Sequence, residues 1–173
     1  MTNSTYTTED YMKNKCVKLW KEVFGDSEDF ILSFMEHHYS NSRMLCIERD
    51  GKLLSMLHLI PFTFKGSRIA YIYAVATDKE ARGKGYATTL ITQAIEKARK
   101  EGYKSVITLP ADENLHIFYS RFGFKGKYAV KFKTPDNFDF GTGDASKDFA
   151  CALLLDNSLK KLFEEGKTII LEK

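Results

Sequence analysis

The sequence of 173 residues predicts an α+β fold. Residues 69–77 form a continuous apolar and β-branched run, which is typical of a strand buried on both faces. Apolar residues at helical spacing follow this run and stop at Gly102, a common residue at helix ends. Two further apolar runs flank Asp50-Gly51, a dipeptide that favours a β-hairpin turn. A hairpin followed by a strand, a helix and another strand belongs to the α+β class.

Composition and charge narrow the possible classes of protein. The chain is 43% hydrophobic and 28% charged, as soluble globular proteins are. Its net charge of +3, without any long basic run, argues against nucleic acid as a partner. No apolar stretch approaches the ~20 residues of a membrane span, and the polar N-terminus is unlike a signal peptide. We therefore expect a cytoplasmic protein without a membrane or nucleic-acid partner.

The length favours a single domain over residues 1–173. Within it, we expect a core at about 11–133 and a C-terminal extension at 134–173.

No metal site is expected. Cys16, Cys46 and Cys151 are far apart and lack metal-ligand spacing, so they predict buried thiols in a reducing compartment. His37 and His38 are adjacent, but neighbouring helix positions point about 100° apart, and no acidic or cysteine partner lies at ligand spacing. A cationic pair near a helix C-terminus is the favoured interpretation.

Two helices are predicted before the hairpin. Residues 11–24 carry an apolar stripe at helical spacing, and the segment 25–27 interrupts it. Ser27 is a good N-cap for a second helix that ends near His37. Residues 1–10 have little to bury and predict a loose arm or a first turn.

Further elements follow in chain order. The predicted strands before the last segment lie at 44–49, 52–64, 69–77, 104–109 and 124–133. Pro61 should limit full pairing near the end of the second strand. Asp112 is a candidate N-cap for a helix that stops at Gly123. The apolar face of this helix is predicted to consist of Leu115, Phe118, Tyr119 and Phe122.

The C-terminal segment gives weaker signals. Residues 134–148 are rich in turn formers and predict an exposed loop, which could lie over a substrate mouth. Residues 149–155 could form a strand or join a helix through Leu159, Leu162 and Phe163 that ends at Gly166. Residues 168–171 predict a last strand.

A glycine turn between the strand at 69–77 and the next helix predicts an anion site. The first N–H groups of a helix lack intrahelical acceptors, and the helix dipole favours negative charge there. Gly83 and Gly85 allow a phosphate to approach the backbone. The turn lacks the spacing of a P-loop, and Thr88 stands where a dinucleotide fingerprint requires glycine.

Two sequence blocks resemble the GNAT N-acetyltransferases. Arg82-Gly83-Lys84-Gly85-Tyr86-Ala87 matches their acetyl-CoA motif, (Q/R)-x-x-G-x-(G/A), position by position. Asn114-x-x-x-x-Tyr119-x-x-Phe122-Gly123-Phe124 resembles their second motif. The resemblance implies the GNAT, or acyl-CoA N-acyltransferase, fold: a mostly antiparallel mixed central sheet with helices on both faces. The alternative is an ordinary glycine-containing connection in a βα unit.

The resemblance also implies a site for acetyl-CoA as co-substrate. The turn would hold the pyrophosphate with backbone N–H groups, and the preceding strand end would pair with the pantetheine arm. The implied cofactor-binding residues are Val75, Ala76, Thr77, Arg82, Gly83, Lys84, Gly85, Tyr86, Ala87, Thr88 and Asn114.

Tyr119 matches the position of the family's usual general acid. A phenol with a pKa near ~10 can protonate a departing thiolate and stay neutral at pH 7. The alternative is a core aromatic beside Phe118 and Phe122. The general base stays open among Glu48, His58, Glu80, His116 and the C-terminal carboxylate of Lys173.

The function that the resemblance implies is transfer of an acetyl group to a primary amine of a small molecule or protein, by direct attack on the thioester. The alternative is an acyl-CoA-binding module that has lost catalysis. We expect a monomer or homodimer. The segments 74–77 and 119–124 look closest to the Eis-type branch, which modifies aminoglycosides and other amines. Those proteins are longer, so the acceptor stays open.

Overall fold

The computed structural model of the chain describes residues 7–163 and 167–173. The chain divides into two compact units. Unit 1 comprises the segment up to His58 together with Ala74–Leu90, and unit 2 comprises Leu59–Tyr73 and Ile91–Lys173.

The described residues confirm the α+β class. The helices are α1 (Thr8–Phe24), α2 (Glu28–His37), α3 (Tyr86–Lys100) and α4 (Glu113–Ser120). The strands are β1 (Met44–Arg49), β2 (Lys52–Phe64), β3 (Ser67–Thr77), β4 (Ser105–Thr108), β5 (Lys125–Lys133), β6 (Phe149–Leu154) and β7 (Ile169–Glu172). They form one mixed sheet in the order β1-β2-β3-β4-β6-β5-β7. The pairs β3–β4 and β5–β7 are parallel, and β1–β2, β2–β7, β4–β6 and β5–β6 are antiparallel.

Side-chain caps start both helices of the N-terminal segment. The Thr7 hydroxyl accepts from the Asp10 N–H at 3.1 Å, so α1 begins three positions before the predicted start. Of the two alternatives for the N-terminal segment, the first turn is therefore confirmed at residues 8–10, and residues 1–6 lie outside the described residues. The Ser27 hydroxyl accepts from the Phe30 N–H at 3.2 Å, which confirms Ser27 as the N-cap of α2.

The core of unit 1 lies where these helices meet. The ring centres of Trp20 and Phe34 are 5.0 Å apart, and both side chains are fully buried. Cys16 is also buried, whereas Cys46 is only half-buried. Burial raises the pKa of Cys16 to about 12, which makes it an unreactive thiol.

The β1–β2 hairpin forms as predicted. Asp50 and Gly51 both have positive φ, 50° and 74°, which is the conformation of a type I′ turn. Arg49 and Lys52 pair on either side of it. β2 continues through Pro61 to Phe64.

Unit 2 corrects two predictions for the C-terminal segment. The loop at 134–148 is not simply exposed, because Phe140 is 1% exposed and packs 5.3 Å from Phe62, ring centre to ring centre. The Tyr71 hydroxyl also donates to the Phe140 carbonyl at 3.0 Å. The predicted helix through Leu162 is wrong: a short 3₁₀ turn at Asn157–Leu159 takes its place.

Two other predictions for the C-terminal segment agree with the structure. Residues 149–154 form a strand, which was one of the two alternatives, and the last strand is present as β7. Gly166, the predicted end of the helix, lies outside the described residues. The predicted apolar face of α4 is wrong at Leu115, because this side chain is exposed rather than buried.

Residues 7–163 and 167–173 contain neither a membrane-spanning helix nor a metal-binding cluster. No helix in these ranges is long and apolar enough to cross a membrane. The same ranges contain no cluster of three His, Cys, Asp or Glu side chains that could hold a metal ion.

Candidate functional site

The C-terminal end of β3 departs from regular strand geometry. Ala74 has φ 51°, a left-handed conformation that costs a non-glycine residue energy and persists only where the surroundings hold it. The parallel ladder pairs Ile69–Ile72 with Ser105–Thr108 and ends where β4 ends. Val75, Ala76 and Thr77 therefore lie beyond the last pair of this ladder.

Three hydrogen bonds fix the point where β3 becomes the turn. The Thr77 and Ser55 hydroxyls are 2.9 Å apart, and the Asp78 N–H donates to the Leu54 carbonyl at 2.8 Å. Arg82 folds back, and its Nε donates to the Thr77 carbonyl at 3.2 Å. The strand end and the turn are thus held to β2 and to each other within unit 1.

Asp78 organises the first part of the turn. Its carboxylate accepts from the Glu80 N–H at 3.1 Å and lies 3.1 Å from the Lys52 ammonium. The hydrogen bond from Lys52 is the main reason that the pKa of Asp78 is lowered, and the Glu80 N–H adds to it. This residue was missed from sequence, although aspartate commonly closes short turns through its own side chain.

The glycine turn is open on its outer side. Gly83 and Gly85 have φ 77° and 79°, so both positions favour glycine for their backbone conformation. A Cβ at either position would meet no atom within 4 Å. This space allows a ligand to approach the backbone here.

The start of α3 suits an anion. The residue before its first position is Gly85, which has no side chain to act as a cap. The first turn of α3, which includes Tyr86, Ala87 and Thr88, contains no acidic residue. Arg82 and Lys84 are exposed on the turn before it. Backbone N–H groups, the helix dipole and two cations therefore all favour negative charge at this point.

Unit 2 carries the other two predicted site residues, both on α4. Asn114 is exposed in the first turn, whereas Tyr119 is 5% exposed and packs against the rings of Phe118 and Phe124. Burial raises the pKa of Tyr119 to about 12, and a hydrogen bond with Thr108 opposes part of this effect. Tyr119 is therefore a neutral phenol at physiological pH.

The structure separates the candidates for the general base by their surroundings. The Glu48 carboxylate is 2.8 Å from the Lys15 ammonium, and Glu80 is exposed. His58 is 1% exposed, with the Phe34 ring 4.8 Å away, centre to centre, and its Nε2 has no hydrogen-bond partner. Burial lowers the pKa of His58 to about 3, so this histidine is neutral and a weak base.

The other two candidates lie in unit 2. His116 is half-buried, and burial lowers its pKa, with the nearby Lys127 adding to the effect. Lys173 follows β7, and its N–H donates to the Lys133 carbonyl at 2.9 Å.

Comparison with known proteins points to one family. The sequence model of the acetyltransferase (GNAT) family matches residues 9–124. A protein of Methanocaldococcus jannaschii described as an uncharacterized N-acetyltransferase is 40% identical over 65 residues. This match covers 36% of the chain but only 29% of the relative's length.

Solved structures share the fold at low sequence identity. The GNAT family N-acetyltransferase YhbS from Escherichia coli, solved in complex with CoA, has a TM-score of 0.63 and 19% identity, over 92% of this chain and 83% of that one. The PaiA N-acetyltransferase from Thermoplasma acidophilum, also in complex with coenzyme A, has a TM-score of 0.53 and 17% identity, over 84% and 92%.

Proposed function

Because the chain belongs to the acetyltransferase (GNAT) family, we propose that it is an enzyme that transfers an acetyl group from acetyl-CoA to a primary amine. One observation carries this proposal. The family's acetyl-CoA motif forms an open turn with two left-handed glycines, directly before a helix start that has no acidic residue of its own. The two CoA-bound structures with this fold support the choice of ligand.

The pyrophosphate and the pantetheine arm of acetyl-CoA would bind to different parts of unit 1. The pyrophosphate would accept from the N–H groups of Gly83, Gly85 and the first turn of α3, with Arg82 and Lys84 nearby as cations. The pantetheine amides would pair with the backbone of residues 75–77 as an added strand. Asn114 on α4 is the remaining proposed cofactor contact.

The reaction follows from the chemistry of a thioester. The neutral amine attacks the carbonyl carbon and forms a C–N bond, while the carbonyl oxygen takes negative charge that an N–H of the 75–77 segment would stabilise. The C–S bond then breaks. Tyr119, protonated at neutral pH, would give its proton to the departing thiolate. The attacking nitrogen loses its proton to solvent water, since we propose no side chain as the general base, and Tyr119 regains a proton from solvent before the next turnover.

The acceptor is a primary amine of a small molecule or a protein. Its identity depends on contacts that variable parts of a fold supply rather than on the fold itself. A screen of amines is therefore part of the test.

One observation favours a second candidate function. Tyr119 is enclosed by aromatic rings on α4, as an ordinary core residue would be. If that is its whole role and no other group protonates the departing thiolate, the chain is a module that binds acyl-CoA and does not turn it over.

Calorimetric titration with acetyl-CoA, followed by a thiol-release assay over a panel of primary amines, separates the two functions. Binding with amine-dependent release of thiol supports the enzyme. Binding without release for any amine supports the module. Absence of binding overturns both, because neither function is possible without the ligand.

A further inference from the structure

The β1–β2 hairpin places an additional cation beside the start of α3. Arg49 ends β1, and the guanidinium carbon lies 5.6 Å from the centre of the Tyr86 ring. Tyr86 is the first residue of α3 and part of the glycine-turn motif. Both residues belong to unit 1. The cation is thus supplied by a strand far from the motif in sequence, where a search for the motif would not find it.

The hairpin fixes the position of the Arg49 backbone. Arg49 pairs with Lys52 across a turn whose two central residues both have positive φ. A two-residue turn of this type sets the register of its strands. The Tyr86 ring then holds the guanidinium, since cations within about 6 Å of an aromatic centre are attracted to its face.

Arg49 differs from the neighbouring lysines in its partners. The Lys15 ammonium is 2.8 Å from Glu48, and that of Lys52 is 3.1 Å from Asp78. Within residues 7–163 and 167–173, Arg49 makes no ion pair with a carboxylate. A guanidinium stacked on a ring keeps its in-plane N–H donors available for another acceptor.

The position of this cation is unfavourable without an anion. A helix start carries partial positive charge, so a nearby arginine is repelled by the dipole. Arg82 and Lys84 add two more positive charges, and the first turn of α3 has no acidic side chain to balance them. A negatively charged ligand at this point would relieve all of these repulsions together.

We propose that Arg49 is a phosphate-binding residue for the nucleotide end of acetyl-CoA. This inference rests on the proposed function and adds to it a residue outside the family motif. The planar fork of a guanidinium can bind two phosphate oxygens at once. CoA offers two sources of this chemistry, the pyrophosphate and the 3′-phosphate of the ribose. The shared feature is a phosphate oxygen that accepts from Arg49.

The test measures the acetyl-CoA Kd of wild type, Arg49→Ala and Arg49→Lys by calorimetry at low salt. Loss of a charge-assisted pair should raise the Kd of Arg49→Ala by about 10-fold. Arg49→Lys should recover part of this loss, because it keeps the charge without the fork. The difference should shrink in about 0.5 M salt, since screening weakens exposed charge pairs.

Arg68→Ala is a matched control. Arg68 also stacks on a tyrosine, with its guanidinium carbon 4.1 Å from the Tyr103 ring centre, and it donates to the Glu101 carbonyl at 2.6 Å. It belongs to unit 2, and its partner Glu101 is the residue that directly follows α3. This variant removes the same charge and the same kind of stack, so we expect its Kd to equal that of wild type.

Repeating the titrations with acetyl-dephospho-CoA identifies the phosphate. A loss restricted to acetyl-CoA assigns Arg49 to the 3′-phosphate, and an equal loss for both ligands assigns it to the pyrophosphate. A Kd for Arg49→Ala within twofold of wild type and Arg68→Ala overturns the inference and leaves the proposed function intact. If wild type does not bind acetyl-CoA, the proposed function fails, and the inference fails with it.

Discussion

Two helices of this chain follow strands of the sheet through short connections, yet their N-termini are built in opposite ways. α4 follows β4, and its start is closed by its own side chains: the Asp112 carboxylate accepts from the Leu115 N–H at 2.9 Å, and Glu113 lies in the first turn. α3 follows β3, and Gly85 stands at the capping position without a side chain. One helix start has a side-chain cap and an acidic first turn, and the other has neither.

The difference is the reason that we propose an anion site at the glycine turn and not at the other connection. A side-chain cap contributes about 1 kcal/mol to a helix start, and an acidic residue in the first turn adds to it. α3 lacks the acidic residue, and its turn carries Arg82 and Lys84. We therefore expect substitutions at the two starts to affect different properties: ligand affinity at α3, and stability or turnover at α4.

The largest expected effect is at Gly85. Gly85→Glu adds a side chain at φ 79° and a negative charge where the pyrophosphate is proposed to bind. Since a carboxylate at the helix start competes with the phosphate for the same N–H groups and repels it, the acetyl-CoA Kd should rise at least ~100-fold. Calorimetric titration measures the change.

Gly102→Glu is the matched control for Gly85→Glu. Gly102 has φ 77° and open space around an added Cβ, but it lies beyond the C-terminal end of α3. Both variants should lose similar thermal stability, because the backbone strain is the same. Equal acetyl-CoA binding by the two variants would contradict the anion site.

The second effect is on turnover and concerns α4. Tyr119→Phe keeps the ring packed against Phe118 and Phe124 but removes the proton donor. Loss of a general acid should lower kcat by about 100-fold and leave the acetyl-CoA Kd unchanged. Tyr103→Phe, at another buried tyrosine of unit 2, should not change kcat. Wild-type turnover by Tyr119→Phe would mean that Tyr119 is only a core aromatic.

The third effect is on stability and also concerns α4. Asp112→Ala removes the acceptor for the Leu115 N–H, so the free energy of unfolding should fall by about 1 kcal/mol. Asp112→Ser should restore most of it, because a serine hydroxyl can accept the same bond. Urea denaturation measures both variants. An unchanged midpoint for Asp112→Ala would show that the cap contributes nothing to α4.

Features set by a few neighbouring residues could be predicted from sequence. Ser27 caps α2, Asp112 caps α4, and Asp50-Gly51 makes the hairpin turn, as expected. In each case the interacting residues are at most three positions apart, so the local sequence contains the interaction. The glycine turn belongs to the same class, since its two left-handed positions depend on the glycines themselves.

Features that depend on distant residues could not be predicted in this way. Phe140 lies in a segment rich in turn formers, and the rings of Phe62 and Tyr71, far away in sequence, pack against it. The same reason applies to Arg49, which meets Tyr86 through a hairpin, and to Asp78, which meets Lys52. A single sequence shows these side chains but not their partners.

The smallest expected effect concerns Asp78, which fixes the turn that leads to α3. Its carboxylate is paired with Lys52, and its pKa is lowered from the ordinary value of 3.8. A group with a lowered pKa stabilises the folded state at pH values above 3.8, and this contribution is lost as the pH falls through the folded-state pKa. Asp78→Asn cannot ionise, so the stability difference from wild type should be constant near neutral pH and shrink in acid.

The free energy of unfolding of wild type and Asp78→Asn, measured by denaturation from neutral pH into acid, checks the sign of the effect. Lys52→Gln removes the other partner of the pair. Because the two residues share one interaction, the double variant should be about as stable as either single variant. The acetyl-CoA Kd of Asp78→Asn should rise only a few-fold, since the Glu80 N–H and the Leu54 carbonyl still hold the turn. A loss as large as that of Gly85→Glu would mean that the ligand binds Asp78 and its turn rather than the start of α3.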